Sequence, residues 1–188
     1  MWQALHDAWW RLATTTQPRS FPEHLLSGLL QGGAFLYRSA VSVRNQAYDR
    51  GWIPQATLPC PVISVGNVTV GGTGKTTCVE LLTQKVQRLG KRVAVLSRGY
   101  GSRLRRPYWL LQQGGTLLVN GQAGTEQDGL ADEPQLLASH LADIPIVVGS
   151  RREQTGAQAC EQFQANVLVL DDGLQYRRLR RDCEIILV

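Results

Sequence analysis

From residue 61 onward, apolar residues come in short runs, at 62–65, 93–96, 146–148, 167–170 and 185–188. Each is rich in Val, Ile and Leu and lacks the in–out alternation of a half-buried strand. Strands covered on both faces of a parallel sheet read this way. Between the runs the period lengthens. Val79, Leu82, Val86 and Leu89 recur at spacings of three and four, and Gly90 follows as a C-terminal cap. Helices are also predicted over 133–141 and 153–163, while 108–112 and 116–119 flank Gly114-Gly115 as a small hairpin. The pattern predicts an α/β fold, a mostly parallel sheet flanked by helices.

The first sixty residues follow another rule. In 1–14, Trp2, Leu5, Trp9 and Leu12 share one helical face. After Pro18 and Pro22 a second helix is predicted over about 22–47, carrying Leu25, Leu26, Leu29, Leu30, Phe35, Leu36 and Val41. Tryptophans beside Arg suit a membrane interface, where indole rings settle. Packing on the following domain is the competing use of the same faces. The longest uncharged stretch here is 24–37, shorter than the roughly 20 residues that cross a bilayer. No secretory signal pattern is visible. The division expected is a membrane-interface helical segment, 1–58, and a nucleotide-binding core, 59–188.

Composition narrows the class. A chain of 188 residues, 43% hydrophobic and 19% charged, can bury a core and is neither disordered nor fibrous. Lys and Arg number 20 against 15 Asp and Glu, and Lys75, Lys85 and Lys91 are the only lysines. An Arg-rich excess suits phosphates, anionic lipid or nucleic acid without choosing among them. Nucleic acid is disfavoured because no aromatic platform or RNA-binding motif accompanies the Arg177, Arg178, Arg180 and Arg181 cluster. That cluster reads as a phosphate- or lipid-facing patch. Cys60, Cys78, Cys160 and Cys183 contain no C-x-x-C pair, so a zinc site is not expected. Cys78 and Cys183 lie in apolar segments and are expected to be buried free thiols.

The strongest motif runs from the apolar strand at 62–65 through Gly-rich residues into the amphipathic helix after Gly74. A strand, a glycine turn and a helix N-terminus are what a phosphate loop requires. Glycines let successive N–H groups point at phosphate oxygens, and the helix end adds partial positive charge. Thr69, Val70, Gly71, Gly72, Thr73, Gly74, Lys75 and Thr76 are the candidate ATP-binding residues. Lys75 reaches the β- and γ-phosphates, and the Thr76 hydroxyl holds Mg²⁺. The usual loop pattern has Gly where this chain has Thr69; the pair Gly71-Gly72 marks a variant loop.

A second motif, 166–173, is an apolar strand ending in Asp171, Asp172 and Gly173. A carboxylate at the carboxyl edge of a neighbouring strand holds Mg²⁺ in such sites. Asp132 and Glu133 open the helix that Pro134 starts. They read equally well as N-terminal capping acids and as carboxylates near the γ-phosphate, where Asp132 takes a proton from the attacking hydroxyl. Arg98, in Ser97-Arg98-Gly99-Tyr100-Gly101, and Arg151-Arg152 follow strands and can meet phosphate. His140 is expected at the surface.

Together, 61–76 (PVISVGNVTVGGTGKT), 96–101 (LSRGYG), 132–138 (DEPQLLA) and 171–182 (DDGLQYRRLRRD) resemble the tetraacyldisaccharide 4′-kinases, the lipid A 4′-kinases of Gram-negative bacteria. The resemblance implies transfer of the ATP γ-phosphoryl to the 4′-hydroxyl of tetraacyldisaccharide 1-phosphate, a lipid A precursor. It implies peripheral attachment at the cytoplasmic face of the inner membrane and no required protein partner. It implies Asp132 as base, Lys75 on the phosphates, Thr76, Asp171 and Asp172 at Mg²⁺, and Glu133, Gln175 and Arg152 in the site.

Departures from the family pattern are Tyr176 for His, Ala131 for Gly and Thr77 for Pro. Relatives also continue well beyond residue 188 and supply there a His that pairs with the base. The chain is therefore expected to be the N-terminal portion, with impaired transfer. Two other classes stay open: a partner-dependent NTPase switch with a similar loop, and a non-catalytic nucleotide-binding fragment that associates with membranes.

Overall fold

Among the described residues, four of the five apolar runs become inner strands of an eight-stranded sheet and the fifth falls on its edge. A computed structural model describes residues 21–68, 74–104, 106–123 and 129–188, the side chains of 21–26 excepted. In chain order the elements are α1 (Phe21–Asp49), β1 (Val62–Asn67), α2 (Lys75–Arg88), β2 (Val93–Ser97), β3 (Tyr108–Gln113), β4 (Thr116–Val119), β5 (Gln122–Ala123), α3 (Asp132–His140), β6 (Ile146–Val148), α4 (Arg152–Gln162), β7 (Val167–Asp171) and β8 (Cys183–Leu187). The predicted tryptophan helix at 1–14 lies outside the described residues.

The sheet order is β5-β4-β3-β6-β2-β7-β1-β8. Strands β6, β2, β7, β1 and β8 are parallel, and β3, β4 and β5 extend the sheet antiparallel. The inner parallel strands β6, β2 and β7 are buried on both faces, so their runs show no alternation in the sequence. Alternation survives in the packing. Val93 and Val95 of β2 join a core with Val79 of α2 and Leu137 of α3. Ala94 and Leu96 join a second core with Ala159 of α4 and Leu179. Burying a Leu or Val fully contributes roughly 1.5–3 kcal/mol, and every residue of β2 and β7 is buried.

The described chain falls into two compact units, the first ending at Ile53 and the second spanning Pro54–Val188. In the first unit, α1 leaves Leu29, Leu30, Phe35, Leu36 and Tyr37 exposed. Arg44 lies over the Tyr48 ring at 5.5 Å and Arg50 over the Trp52 ring at 5.2 Å. No described helix is long and apolar enough to cross a membrane.

Three expectations change. Cys183 is exposed because β8 is the edge of the sheet, and Cys78, in the first turn of α2, is only half-buried where it packs against the core. The Arg cluster is not one patch: Arg181 turns inward and donates to the carbonyls of Gly173 and Leu174 at 3.1 and 3.2 Å. The same Nη1 also lies 2.8 Å from Glu184 Oε1. His140 is at the surface as expected, but it pairs with Glu80 of α2 at 2.7 Å.

Candidate active site

The loop between β1 and α2 includes Thr69, Val70, Gly71, Gly72 and Thr73, which lie outside the described residues. Its exit is described. Gly74 sits at φ +73°, a left-handed conformation that glycine adopts without strain. It turns the chain directly into α2, where Cys78 N–H donates to the Gly74 carbonyl at 2.9 Å. Lys75 and Thr76 therefore stand on the first turn of a helix that carries no acid there. The unpaired N–H groups and partial positive charge of that turn favour an anion.

Strand β7 is hydrogen-bonded beside β1, with Asp171 in register with Val65. The last residue of β7 thus lies beside the end of β1, at the carboxyl edge where ligands bind in open α/β sheets. Asp171 is 1% exposed. Its Oδ2 accepts from Ser97 Oγ at 3.5 Å, and its Oδ1 has no partner among the described residues. Burial, helped by the Glu133 and Asp172 carboxylates against Lys75 and Arg152, pushes the Asp171 carboxyl up to about 6. Asp172, at φ +54°, turns its side chain to Lys75, with Nζ 3.3 Å from Oδ1. Across the site, Thr76 Oγ1 donates to Glu133 Oε1 at 3.4 Å. Lys75, Thr76, Glu133, Asp171 and Asp172, far apart in sequence, are thereby neighbours.

The opposite wall is cationic. Arg152, the first residue of α4, is 2% exposed, and its Nε has no hydrogen-bond partner among the described residues. Burial and the neighbouring Arg98 pull its guanidinium below the usual Arg range, while Tyr176, Asp171 and Asp172 act the other way. It lies 5.0 Å over the Tyr176 ring. Tyr176 Oη accepts the Arg152 backbone N–H at 3.1 Å and donates to Glu153. Arg151 closes the group on the other Glu153 oxygen at 3.1 Å.

Not every sequence candidate converges equally. Asp132 is exposed at the start of α3. With Glu133, Gln112, Leu117 and Leu136 it lines an open cavity of about 910 Å³. Arg98 lines a separate cavity of about 420 Å³ with Tyr100, Arg106 and Ser150. Gln175 is exposed on the turn after β7. Sequence reasoning missed Ser97 and Glu153, because neither residue type nor spacing marks a second partner that only folding brings near. Gly173 was legible as a motif letter but not as a packing constraint: a Cβ there would fall on Ser64 Oγ and Leu170.

The oxygens present suit a small hard cation. No cluster of three acidic, His or Cys side chains among the described residues would hold a metal alone. Mg²⁺ is commonly bound through one or two carboxylates together with substrate phosphates and water. The orphaned Asp171 Oδ1, Asp172 and the Thr76 hydroxyl match that donor set.

A mostly parallel sheet flanked by helices, with a Lys-Thr helix start and strand-end acids, defines a P-loop NTPase-like fold. The family model described as tetraacyldisaccharide-1-P 4′-kinase matches residues 26–188, and the chain belongs to that family. It is 46% identical over 160 residues to the tetraacyldisaccharide 4′-kinase of Syntrophus aciditrophicus (strain SB), covering 85% of this chain and 41% of the relative. It is 40% identical over 180 residues to the enzyme of that name from Geobacter sulfurreducens, covering 95% and 49%. The crystal structure of LpxK from Aquifex aeolicus in complex with ATP superposes with a TM-score of 0.73 at 36% identity, over 87% of this chain and 49% of that one. The chain spans about half the length of the curated relatives it matches.

Proposed function

We propose that the chain contributes the nucleotide half of a kinase that moves the ATP γ-phosphoryl to the 4′-hydroxyl of tetraacyldisaccharide 1-phosphate in lipid A biosynthesis. The observation that carries this reading is the meeting of Lys75, Thr76, Glu133, Asp171 and Asp172 at the carboxyl edge of β1 and β7, in a chain of this family. Thr69 to Thr76 bind the ATP phosphates. Lys75 leaves Asp172 for the β- and γ-oxygens as the nucleotide enters. Thr76, Asp171 and Asp172 hold Mg²⁺, which neutralises charge developing on the phosphoryl oxygens. Arg152 and Arg98 add positive charge beside the acids.

Asp132 takes the acceptor proton, and the cavity it lines gives the sugar a place to present its hydroxyl. Glu133 holds the Thr76 hydroxyl in place. Phosphoryl transfer asks for positioning and charge neutralisation more than covalent chemistry, and these groups supply both. The exposed apolar face of α1 rests on the cytoplasmic surface of the inner membrane, where the lipid acceptor resides.

The test is transfer of labelled γ-phosphate from ATP to the disaccharide 1-phosphate in mixed micelles, comparing the chain with Lys75→Ala and Asp132→Ala. Transfer lost in both variants supports the reading. ATP binding that Lys75→Ala removes, with no transfer by any variant, restricts these 188 residues to nucleotide binding. Transfer unaffected by Asp132→Ala removes the assigned base.

A further inference from the structure

We propose that Cys60 and Cys160 form an oxidation-dependent disulfide site, separate from the nucleotide site and independent of the kinase reading. The residues are 100 positions apart in the chain, yet their sulfurs lie 2.9 Å apart, and both are free thiols. Cys60 ends the segment that enters β1. Cys160 stands on the third turn of α4. The two meet within the core on the α4 side of the sheet, which fixes their mutual orientation. A disulfide needs about 2.05 Å between sulfurs, so the two sulfurs have less than about 1 Å to close from their 2.9 Å separation.

Access is provided on one side. A cavity of about 340 Å³, lined by Thr57, Cys60, Val62, Arg180 and Asp182, reaches the Cys60 residue. That volume admits hydrogen peroxide. Burial, the Cys160 thiol and Asp182 push the Cys60 thiol up to about 12, so it stays protonated and attacks any oxidant slowly. Proximity, not thiolate character, makes the pair special.

The chemistry balances with peroxide as oxidant. Peroxide transfers one oxygen to one thiol, leaving a sulfenic acid and one water. The second sulfur displaces that hydroxyl, which departs with the thiol proton as another water. The two thiols lose two hydrogens and two electrons, and one peroxide becomes two waters. The cross-link ties the entry of β1 to the helix that begins at Arg152. Closing so long a loop restricts the unfolded chain and raises thermal stability.

The reduced 188-residue chain is treated with hydrogen peroxide, then denatured and its thiols titrated. The four thiols are expected to fall to two, with loss of two hydrogens in the intact mass and a Cys60–Cys160 peptide on digestion. The melting temperature is expected to rise and to return on adding dithiothreitol. Cys60→Ser and, separately, Cys160→Ala are expected to abolish the intramolecular link, while Cys78→Ser with Cys183→Ser leaves it intact. Four surviving thiols, a link through Cys78 or Cys183, or sulfinic acid in place of a disulfide would each overturn the proposal.

Discussion

The Tyr176 ring lies under the Arg152 guanidinium at 5.0 Å, and its hydroxyl spans the Arg152 backbone N–H and the Glu153 carboxylate. One side chain thus fixes both the start of α4 and the buried cation that faces the strand-end acids. A neutral phenol does this without adding charge. Burial and the Glu153 hydrogen bond raise the Tyr176 hydroxyl above its ordinary range, so it remains a donor throughout physiological pH.

Removing the hydroxyl while keeping the ring separates these tasks. Tyr176→Phe is expected to cost about 2 kcal/mol, the worth of a hydrogen bond to a charged group, and to leave ATP affinity nearly unchanged. Tyr176→Ala also removes the stack and is expected to weaken ATP binding several-fold. Chemical denaturation and nucleotide titration read the two effects apart. Equal stability of wild type and Tyr176→Phe would show that the Glu153 contact carries no energy.

Asp171 gives a pH dependence whose sign follows from its environment. Its carboxyl rises from 3.8 to about 6 in the folded chain. Between those values the folded state binds more protons than the unfolded one. Stability therefore falls as pH rises through the window, and the deficit persists above it at about 3 kcal/mol or less. Asp171→Asn is expected to raise the melting temperature of the nucleotide-free protein at neutral pH, with the gain vanishing below the unfolded value. It is also expected to abolish the Mg²⁺ dependence of ATP binding. A variant that melts below wild type at neutral pH would contradict the assignment of an uncompensated buried charge.

Gly173 sits where β7 turns out of the sheet, and a methyl there meets Ser64 Oγ and Leu170. Both neighbours belong to buried strands. Gly173→Ala is expected to destabilise by about 1–3 kcal/mol, the usual cost of overpacking a core. It is also expected to displace Asp172, one residue away. Melting and Mg²⁺–ATP titration of the same variant test both parts. An unchanged melting temperature would mean the turn has room that the geometry denies.

The α1 face makes a prediction that does not touch the site. Phe35 and Leu36 are each 70% exposed. Phe35→Glu with Leu36→Glu is expected to lower the fraction of chain sedimenting with anionic vesicles at least several-fold, since apolar burial and surface charge set interfacial binding. ATP affinity is expected to stay the same. Unaltered sedimentation would assign this face to something other than lipid.

Much of the fold was legible in the residue pattern because its signals are local. Val-, Ile- and Leu-rich runs without alternation announced strands buried on both faces, and β1, β2, β6 and β7 lie where those runs are. The spacing of Val79, Leu82 and Val86 announced α2. Gly74-Lys75-Thr76 reads as a candidate phosphate-binding turn because glycine freedom, a cation and a hydroxyl are needed in that order, and Gly74 does adopt the left-handed conformation that starts α2. The acids at 171 and 172 read as strand-end carboxylates for the same reason, and Asp171 does end β7.

Relations between distant segments needed the folded chain. Strand order is one: β7 between β1 and β2 sets Asp171 beside Val65 at the carboxyl end of β1. The Thr76–Glu133 contact, the Arg152–Tyr176 stack and the Cys60–Cys160 approach are others. Burial also reassigned residues whose letters suggested otherwise, turning Arg181 inward as a clamp and leaving Cys183 exposed at an edge. Residue type and spacing state what a side chain can do. Packing across the sheet decides which partner it meets and how much water remains around it, and those two conditions set its charge and its chemistry.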